Sequence, residues 1–289
     1  MWQNFEKFLQ TPDHHRLHFE QWIHPAAKQS LLIIHGQGEH SGSYERLIQD
    51  LKSNLHVPLN IFSFDFRGHG RSDGIRGYAE HPIEYVEDLE TVLAEIRSHW
   101  EQNPLFILAH SMGGLIWTIS QKQKRYQECF KKMIRGQILS SPFFGMSLDI
   151  PQWKTKSAVF IKTLFPKLTL SNEIEDSLLT DDPEIQTEFR RDPLRHRKIS
   201  AGVFLGFFDF FSESLEMAKE IQLPTLVFIS QTDPVVSFSA TQQFFEALGS
   251  SKKKILSLST GKHELLNDIS REHIYKSIHN QLNQWSEIC

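Results

Sequence analysis

Short apolar runs alternate with amphipathic stretches along most of this chain. The apolar runs are hydrophobic almost throughout, which predicts strands that are buried on both faces of a sheet. These runs lie within residues 28–35, 59–64, 105–109, 134–140, 223–229 and 254–259. Residues 5–10 and 17–22 predict an opening hairpin. Apolar side chains also recur at helical spacing, most clearly at Ile83, Val86, Leu89, Val92, Leu93, Ile96 and Trp100. The pattern predicts an α/β fold with a mostly parallel central sheet flanked by helices.

The regular alternation stops between residue 143 and about residue 217, where Lys, Arg, Pro and Phe become frequent. We interpret residues 143–217 as a helical cap inserted into one core domain, whose two parts are residues 1–142 and 218–289. A length of 289 residues suits one α/β domain with an insertion of this kind.

Composition narrows the classes of function. The 31 basic and 35 acidic residues leave a net charge of -4, which provides no positive field for nucleic acid. The glycine-rich turns lack nucleotide-binding patterns, and the histidines lack the H-E-x-x-H spacing of a zinc site, so we expect neither a cofactor nor a metal. The two cysteines, Cys129 and Cys289, lie far apart, and no apolar run has membrane-spanning or signal-peptide form. These features predict a cytoplasmic protein.

Ser111 is the strongest candidate nucleophile. It follows the apolar run 105–109 closely, and the residues after it, from Leu115 to Lys124, are able to continue as a helix. A serine at such a strand-to-helix turn is held clear of the backbone, at the positive end of the helix. The usual pattern is G-x-S-x-G, and here Ala109 replaces the first glycine, a methyl group that we expect the turn to accommodate.

A glycine-containing loop, His35-Gly-Gln-Gly-Glu-His40, follows the strand predicted within residues 28–35 and is called the oxyanion loop below. Acyl transfer needs two preorganised N–H donors where negative charge develops on the carbonyl oxygen. One donor comes from a loop of this kind and the other from the residue after the nucleophile. We therefore expect the backbone amides of Gln37 and Met112 to form an oxyanion hole.

A serine nucleophile needs a base, and the base needs an acid that fixes its tautomer. Asp233 lies just beyond the apolar run 223–229, where a carboxylate is placed at the carboxyl edge of the sheet. His263 follows the last predicted strand, just before a helix. The order Ser, Asp, His is that of α/β-hydrolases and differs from the orders in chymotrypsin and subtilisin. The predicted triad is Ser111, His263 and Asp233.

Other polar residues compete for these roles. Asp65 precedes the nucleophile in a glycine-rich D-x-R-G-x-G-x-S turn, so we expect a structural role, and Asp209 is a weaker candidate still. His263 and Asp268 form an H-x-x-x-x-D pattern seen in acyltransferases, but we interpret Asp268 as a carboxylate on a helix surface. The histidines beside glycine turns are interpreted as structural hydrogen-bonding groups; they are His35, His40, His69 and His110.

Together these segments resemble the monoacylglycerol lipase and lysophospholipase branch of the α/β-hydrolases. The matching motifs are H-G-Q-G-E-H-S-G-S-Y at 35–44, R-G-H-G-R-S-D-G at 67–74, H-S-M-G-G at 110–114 and H-E-L-L-N-D at 263–268. Residues 168–172 and 191–200 are similar to the cap segment of that family. The resemblance implies an α/β-hydrolase fold with a helical cap, and a cofactor-free serine hydrolase whose substrate is a lipid ester.

One position departs from that family's pattern. The family commonly reads S-G-R-Y, with its arginine near the glycerol head group, whereas this chain has Ser43 at the position of the arginine. A serine is too short and uncharged to hold a glycerol hydroxyl as a guanidinium does. We expect Glu39 and Ser43 to contact the head group, with weak discrimination between monoacylglycerols and lysophospholipids.

Five phenylalanines fall within residues 203–211 of the predicted cap. They cannot all face one side of a helix, so some line a cavity, meet the core or face a membrane. We expect an acyl-chain pocket formed by Phe204, Phe207, Phe208 and Phe211. A basic run nearby is interpreted as a solvated helix face, with contact to an anionic lipid surface as the alternative. It comprises Arg190, Arg191, Arg195, Arg197 and Lys198.

These observations predict a serine carboxylic-ester hydrolase that acts on single-chain lipids through an acyl-enzyme, peripheral to a membrane that the cap contacts transiently. Three alternatives stay open on the same scaffold. A peptidase of the proline-iminopeptidase type would need acidic cap residues that hold a substrate ammonium. An acyltransferase would pass the acyl group to an alcohol. A catalytically silent binding protein is disfavoured because every expected catalytic position is filled.

Overall fold

The computed structural model describes residues 1–100, 103–147 and 150–286. The strands in this part of the chain are β1 (Gln3–Gln10), β2 (Arg16–Ile23), β3 (Ser30–Ile34), β4 (Asn60–Phe64), β5 (Leu105–His110), β6 (Ile134–Ser140), β7 (Thr169–Ser171), β8 (Lys198–Ser200), β9 (Thr225–Ser230) and β10 (Lys253–Leu258). The α-helices are α1 (Glu45–Asn54), α2 (Ile83–Trp100), α3 (Met112–Ser120), α4 (Gln152–Leu164), α5 (Asp176–Leu179), α6 (Pro183–Arg191), α7 (Ala201–Glu220), α8 (Phe238–Ala247) and α9 (Arg271–Ser286).

The main sheet of the described residues has the order β1-β2-β4-β3-β5-β6-β9-β10. Strand β2 pairs antiparallel with β1 and β4, and the other neighbours are parallel. Strands β3, β4, β5 and β9 are buried along their whole length, because helices cover both faces of the sheet. The predicted hairpin and the mostly parallel α/β sheet are confirmed.

Helices cover the sheet in two layers. On one face, α2 presents buried side chains at the predicted helical spacing, among them Val86, Leu89 and Val92. On the other face, α1 and α9 bury side chains such as Leu47 and Ile278 against the sheet. Each such side chain contributes about 1.5–3 kcal/mol by leaving water. The helix after Ser111 is shorter than the pattern predicts, since α3 begins at Met112 and ends at Ser120.

The elements α4, β7, α5, α6, β8 and α7 lie between β6 and β9 in the chain. Strands β7 and β8 pair antiparallel, so this region contains a small sheet as well as helices. We infer that these elements form the predicted cap of residues 143–217, although α7 continues to Glu220. No helix among the described residues is long and apolar enough to cross a membrane.

Candidate active site

Strand β5 ends in a tight turn that carries Ser111. This serine has φ 50° and ψ -120°, a backbone conformation that a residue with a side chain rarely adopts. Two hydrogen bonds join the turn to distant segments, from Ser111 N to the Ser140 carbonyl at 3.0 Å and from Phe143 N to the Ser111 carbonyl at 3.1 Å. The strained turn places Ser111 just before the N-terminus of α3, where the helix dipole favours negative charge.

The two small-residue positions of the serine motif have different structural demands. A Cβ atom added to Gly113 would lie 2.6 Å from the carbonyl oxygens of Ile34 and His35, so glycine is required there. Ala109 lies within β5, paired with Ile34 on one side and Leu139 on the other, and is fully buried. The structure therefore accommodates the extra methyl group at residue 109.

Ser111, His263 and Asp233 lie in hydrogen-bond contact. His263 Nε2 lies 2.8 Å from Ser111 Oγ, and His263 Nδ1 lies 3.0 Å from Asp233 Oδ2. Burial by itself lowers the pKa of His263, but the charge and hydrogen bond of the Asp233 carboxylate outweigh burial and raise that pKa above its ordinary value. This is the arrangement in which a histidine accepts a serine proton and then holds it beside a carboxylate.

The loop after β9 fixes the orientation of Asp233. While Oδ2 faces His263, Oδ1 accepts hydrogen bonds from the backbone amides of Val235 at 2.8 Å and Val236 at 3.0 Å. Burial raises the pKa of Asp233, yet His263 and these two amides outweigh burial and lower it. The carboxylate is therefore ionised and held by both oxygens.

The oxyanion loop lies beside Ser111. Gly38 has φ 80°, which favours glycine, and Gly36 N donates to Glu39 Oε1 at 2.5 Å. Gln37 and Met112 line the same cavity as Ser111. Neither of their backbone N–H groups has an acceptor among the described residues. Two free amides that flank the serine are suited to bind an oxyanion.

The cavity above Ser111 has a volume of about 1040 Å³. The i, i+3, i+4, i+7 face of α7 supplies part of its wall through Phe204, Phe207, Phe208 and Phe211. Phe210, on the same helix, packs against the core and contacts His81 at 5.7 Å between ring centroids. Phe207 and Phe211 also pack on the core, so the phenylalanines of α7 meet both the cavity and the core.

The histidines beside glycine turns make structural hydrogen bonds. His35 Nε2 accepts from Phe66 N at 3.0 Å, and burial lowers the pKa of His35 to about 4. His40 bonds to Asp192, and the rings of His69 and His110 bond to backbone carbonyls. These histidines have partners that require no metal.

The competing carboxylates occupy structural positions. Asp65 accepts hydrogen bonds from the backbone amides of Ser41 at 2.7 Å and Arg71 at 2.8 Å, which tie the glycine-rich turn to the end of the oxyanion loop. Asp209 is exposed on α7. The placement of Asp268 on a helix surface is wrong. This residue is buried just before α9. Its carboxylate accepts hydrogen bonds from Thr180 and Asp181 of the cap and from Lys262, next to His263, so it joins the cap to the His263 loop.

A group with metal-ligand spacing lies on the opening hairpin. The ligand atoms of Glu6, His18 and Glu20 lie within 4.8 Å of one another. His18 Nδ1 is also 3.4 Å from Asp65, and Arg71 lies 3.3 Å from Glu6, so ion pairing explains the group. Cys129 is a free thiol, whereas Cys289 lies outside the described residues.

Two polar residues beside the triad are absent from the predicted site. Arg195 is nine-tenths buried, so the interpretation of the basic run as a solvated helix face is wrong for this residue. Arg190 and Arg191 are exposed at the end of α6, as predicted, whereas Arg197 and Lys198 are exposed but lie beyond that helix. Arg195 Nη2 donates to Glu264, the residue after His263. The signal in the sequence is the position of Glu264 next to the candidate base, but no local pattern pairs it with Arg195.

The predicted head-group residues both contact this arginine. Ser43 Oγ accepts from Arg195 Nη1 at 3.2 Å, and Glu39 Oε2 lies 3.9 Å from the same nitrogen. Glu39 Oε1 also accepts from Tyr44 Oη at 2.7 Å. The assignment of Glu39 and Ser43 to substrate binding stays a prediction, since both side chains already have partners within the protein.

A family profile described as "Serine aminopeptidase, S33" matches residues 25–270. The chain belongs to this family. Membership in the serine aminopeptidase family confirms the predicted serine hydrolase with the α/β-hydrolase fold.

Individual members of the superfamily are similar over most of this chain. An uncharacterized abhydrolase domain-containing protein of Dictyostelium discoideum is 28% identical over 269 residues, which are 91% of this chain and 27% of that protein. The chain thus spans about a quarter of that relative's length. Phospholipase YtpA of Bacillus subtilis is 25% identical over 252 residues, 86% of this chain and 92% of that protein.

A solved structure is also similar, the monoacylglycerol lipase of Paleococcus ferrophilus. Its sequence is 26% identical, its TM-score is 0.78, and the match covers 98% of this chain and 99% of that one. The predicted placement in the monoacylglycerol lipase branch of the α/β-hydrolases is confirmed.

Proposed function

We propose that this protein hydrolyses the carboxylic ester of single-chain lipids, monoacylglycerols or lysophospholipids, by serine catalysis. The observation that carries the proposal is the Ser111–His263–Asp233 chain of hydrogen bonds at the floor of a cavity walled by phenylalanines. Relatives named as a monoacylglycerol lipase and as a phospholipase support the substrate class.

The first half of the reaction forms an acyl-enzyme. Ser111 Oγ attacks the ester carbonyl carbon while its proton passes to His263 Nε2, 2.8 Å away. The backbone amides of Gln37 and Met112 bind the oxyanion. His263 then gives the proton to the departing alkoxide, which leaves as an alcohol, and the acyl group remains on Ser111.

The second half returns the enzyme to its starting state. His263 removes a proton from water, whose oxygen attacks the acyl carbonyl carbon. The tetrahedral intermediate collapses with return of the proton to Ser111 Oγ, and the fatty acid leaves. Asp233 keeps the proton of His263 on Nδ1 throughout and stabilises the imidazolium that forms in each half.

The charges of the cavity favour a lipid ester over a peptide with a free ammonium group. Every carboxylate that lines it, within the described ranges, has a basic partner less than 4.0 Å away. The pairs are Glu39 and Glu264 with Arg195, Glu173 with Lys154, Asp176 with Arg197, and Asp192 with His40. A substrate ammonium would have to displace one of these partners, so the peptidase alternative lacks the free carboxylate that it needs.

The test compares hydrolysis rates on monoacylglycerols, lysophospholipids, short p-nitrophenyl esters and proline nitroanilide, with Ser111→Ala as the control. We expect cleavage of long-chain esters, no cleavage of the anilide, and loss of nearly all activity in the control. Faster cleavage of the anilide than of every ester would refute the proposal in favour of a peptidase. Folded protein that fails to react with a fluorophosphonate would support a silent binding protein.

We also propose that the cap contacts an anionic lipid surface through α4 and the segment that follows it. Large apolar side chains are exposed there, with Trp153 63% and Phe160 61% exposed. Val159, Leu164, Phe165, Leu168 and Leu170 extend the patch. Lysines 154, 156, 162 and 167 are interspersed with these residues, which suits binding to anionic head groups.

Vesicle flotation tests this contact. The Trp153→Ser/Phe160→Ser double variant should bind less to phosphatidylcholine vesicles that contain phosphatidylserine, whereas Phe5→Ser, at a half-exposed position on β1, should bind normally. Equal binding by both variants would show that α4 is not the contact surface.

A further inference from the structure

A short segment of the cap, residues 192–198, lies across the oxyanion loop. The two backbones are in direct contact, because a Cβ atom added to Gly38 would lie 2.2 Å from the carbonyl oxygen of His196. Three hydrogen bonds join the segments: His196 N to Gly38 O at 2.9 Å, Gln37 Nε2 to Lys198 O at 2.8 Å, and His40 Nε2 with Asp192 Oδ2 at 2.8 Å. The position of the oxyanion loop therefore depends on the cap.

Arg195 extends from the middle of this cap segment into the core. Its guanidinium donates to Glu264 and to Ser43 Oγ, lies 3.9 Å from Glu39, and stacks on the Phe189 ring with 3.7 Å from Cζ to the ring centroid. The side chain is 10% exposed, and those of Glu39 and Glu264 are 3% and 4% exposed. One buried cation thus serves two buried carboxylates.

Each carboxylate holds one part of the candidate catalytic machinery. Glu39 Oε1 accepts from Gly36 N, which fixes the loop that presents the Gln37 amide. Glu264 directly follows His263, and its Oε2 accepts from Asn267 Nδ2 at 3.1 Å. A shift of either carboxylate would move an oxyanion donor or the candidate base.

The balance of charge depends on Arg195. Burial raises the pKa of Glu264, but the charge of Arg195 and its hydrogen bond outweigh burial and lower it. Loss of the guanidinium would leave two buried carboxylates without a compensating charge. In free energy of folding, this costs far more than replacing Arg195, Glu39 and Glu264 together. Both carboxylates also raise the pKa of His263.

We propose that Arg195 is a positioning residue, which acts from the cap through Glu39 and Glu264 to hold the oxyanion loop and the His263 loop in the arrangement that serves Ser111. The proposal rests on the proposed function only in taking Ser111 as the nucleophile. It makes no use of the identity of the lipid.

The test measures the rate constant for modification of Ser111 by a fluorophosphonate as a function of pH. This reaction needs the nucleophile, the base and the oxyanion hole but no lipid, so its outcome is separate from that of the substrate tests. The variants are Arg195→Met, Glu264→Gln and their combination, with Arg191→Met as a matched control at an exposed position of the cap.

Arg195→Met should slow the reaction on the order of 10²-fold, the size expected when an oxyanion donor is misplaced. The acid limb of its pH–rate profile, the range in which protonation of His263 stops the reaction, should move to higher pH. The reason is that two unopposed carboxylates hold the proton on His263 more tightly. Glu264→Gln should move the limb to lower pH, and the double variant should lie between the two single variants. Arg191→Met should match the wild type.

Several other charged or titratable groups face His263 and Arg195 from the packed elements. They are Asp233, His110, Glu39, Glu264, Tyr44, Asp192, His40 and His35. The comparison of variants isolates the Arg195 charge, because these other groups stay the same apart from the substituted Glu264.

A folded Arg195→Met protein with a rate within threefold of the wild type would overturn the proposal. So would a loss of rate in which the acid limbs of the single variants do not move in opposite directions, since a merely structural arginine predicts no such difference. If Arg195→Met does not fold, the test rests on Glu264→Gln and the double variant. In that case the proposal is overturned if the acid limb of Glu264→Gln coincides with that of the wild type.

Discussion

The Asp233→Asn substitution tests the triad at the residue whose role depends most on geometry. In the structure, Asp233 Oδ1 accepts from two backbone amides, while Oδ2 faces His263 Nδ1. An asparagine keeps these bonds to Val235 and Val236 only if its carbonyl oxygen faces them. Its NH₂ group then faces Nδ1, so the proton of His263 moves to Nε2 and the imidazole cannot accept the proton of Ser111.

The size of the expected decrease in kcat follows from these two backbone donors. Turning the amide around would restore the productive tautomer but would aim the NH₂ group at both N–H donors. Each buried donor left without an acceptor costs about 1–3 kcal/mol, so the turned amide lies about 2–6 kcal/mol higher in free energy. Its population falls roughly 30-fold to 10⁴-fold, and kcat should fall by a similar factor.

The assay is steady-state hydrolysis of a p-nitrophenyl ester across pH, with thermal unfolding to confirm that the variant folds. Since the Asp233 charge raises the pKa of His263 above 6.5, the wild-type acid limb should lie above that pH. It should move to lower pH in the variant, because neutral His263 then persists to lower pH. Asp209→Asn, at an exposed position on α7, should change nothing. Folded Asp233→Asn protein within tenfold of the wild-type kcat would refute this reasoning, and Asp65 would be tested next.

Three further substitutions test the rest of the site. Phe208→Ala should lower the ratio of laurate to butyrate kcat/KM roughly tenfold, because about 1–3 kcal/mol of apolar contact is lost. Phe210→Ala, which alters the core side of α7, should leave the ratio unchanged. Equal effects of the two substitutions would contradict an acyl pocket. Gly113→Ala forces a Cβ to within 2.6 Å of two carbonyl oxygens, so urea unfolding should report about 1–3 kcal/mol less stability, and an unchanged midpoint would show that the turn relaxes. Ser43→Arg should lower kcat/KM on monoacylglycerol roughly tenfold or more, since about 1.4 kcal/mol of repulsion from Arg195 suffices; a gain would mean that position 43 binds the head group directly.

Local pattern was sufficient for much of the fold, and it also selected the residues of the predicted triad, which the structure places in hydrogen-bond contact. Strands buried on both faces appear as short apolar runs, and β6 has the same bounds, Ile134–Ser140, in the sequence prediction and in the structure. The small residues that permit the turn at Ser111, Ala109 and Gly113, lie within two positions of it, although Ser140 and Phe143 hold the turn from distant segments. The order of Ser111, Asp233 and His263 along the chain narrows the choice of acid and base. Their positions after strands do so as well, since parallel strands bring their carboxyl ends to one edge of the sheet.

Only the tertiary structure decided which charged side chains are buried together. Arg195 stands in a basic run that is typical of a solvated face, and its pairing with Glu264 joins residues 69 positions apart. The sequence leads to the interpretation of Asp268 as a carboxylate on a helix surface, yet the packing of the cap on the His263 loop buries it. The sequence determined the apolar periodicities, because they depend on near neighbours. The partners of buried charges depend on which distant segments pack together, which no local spacing records.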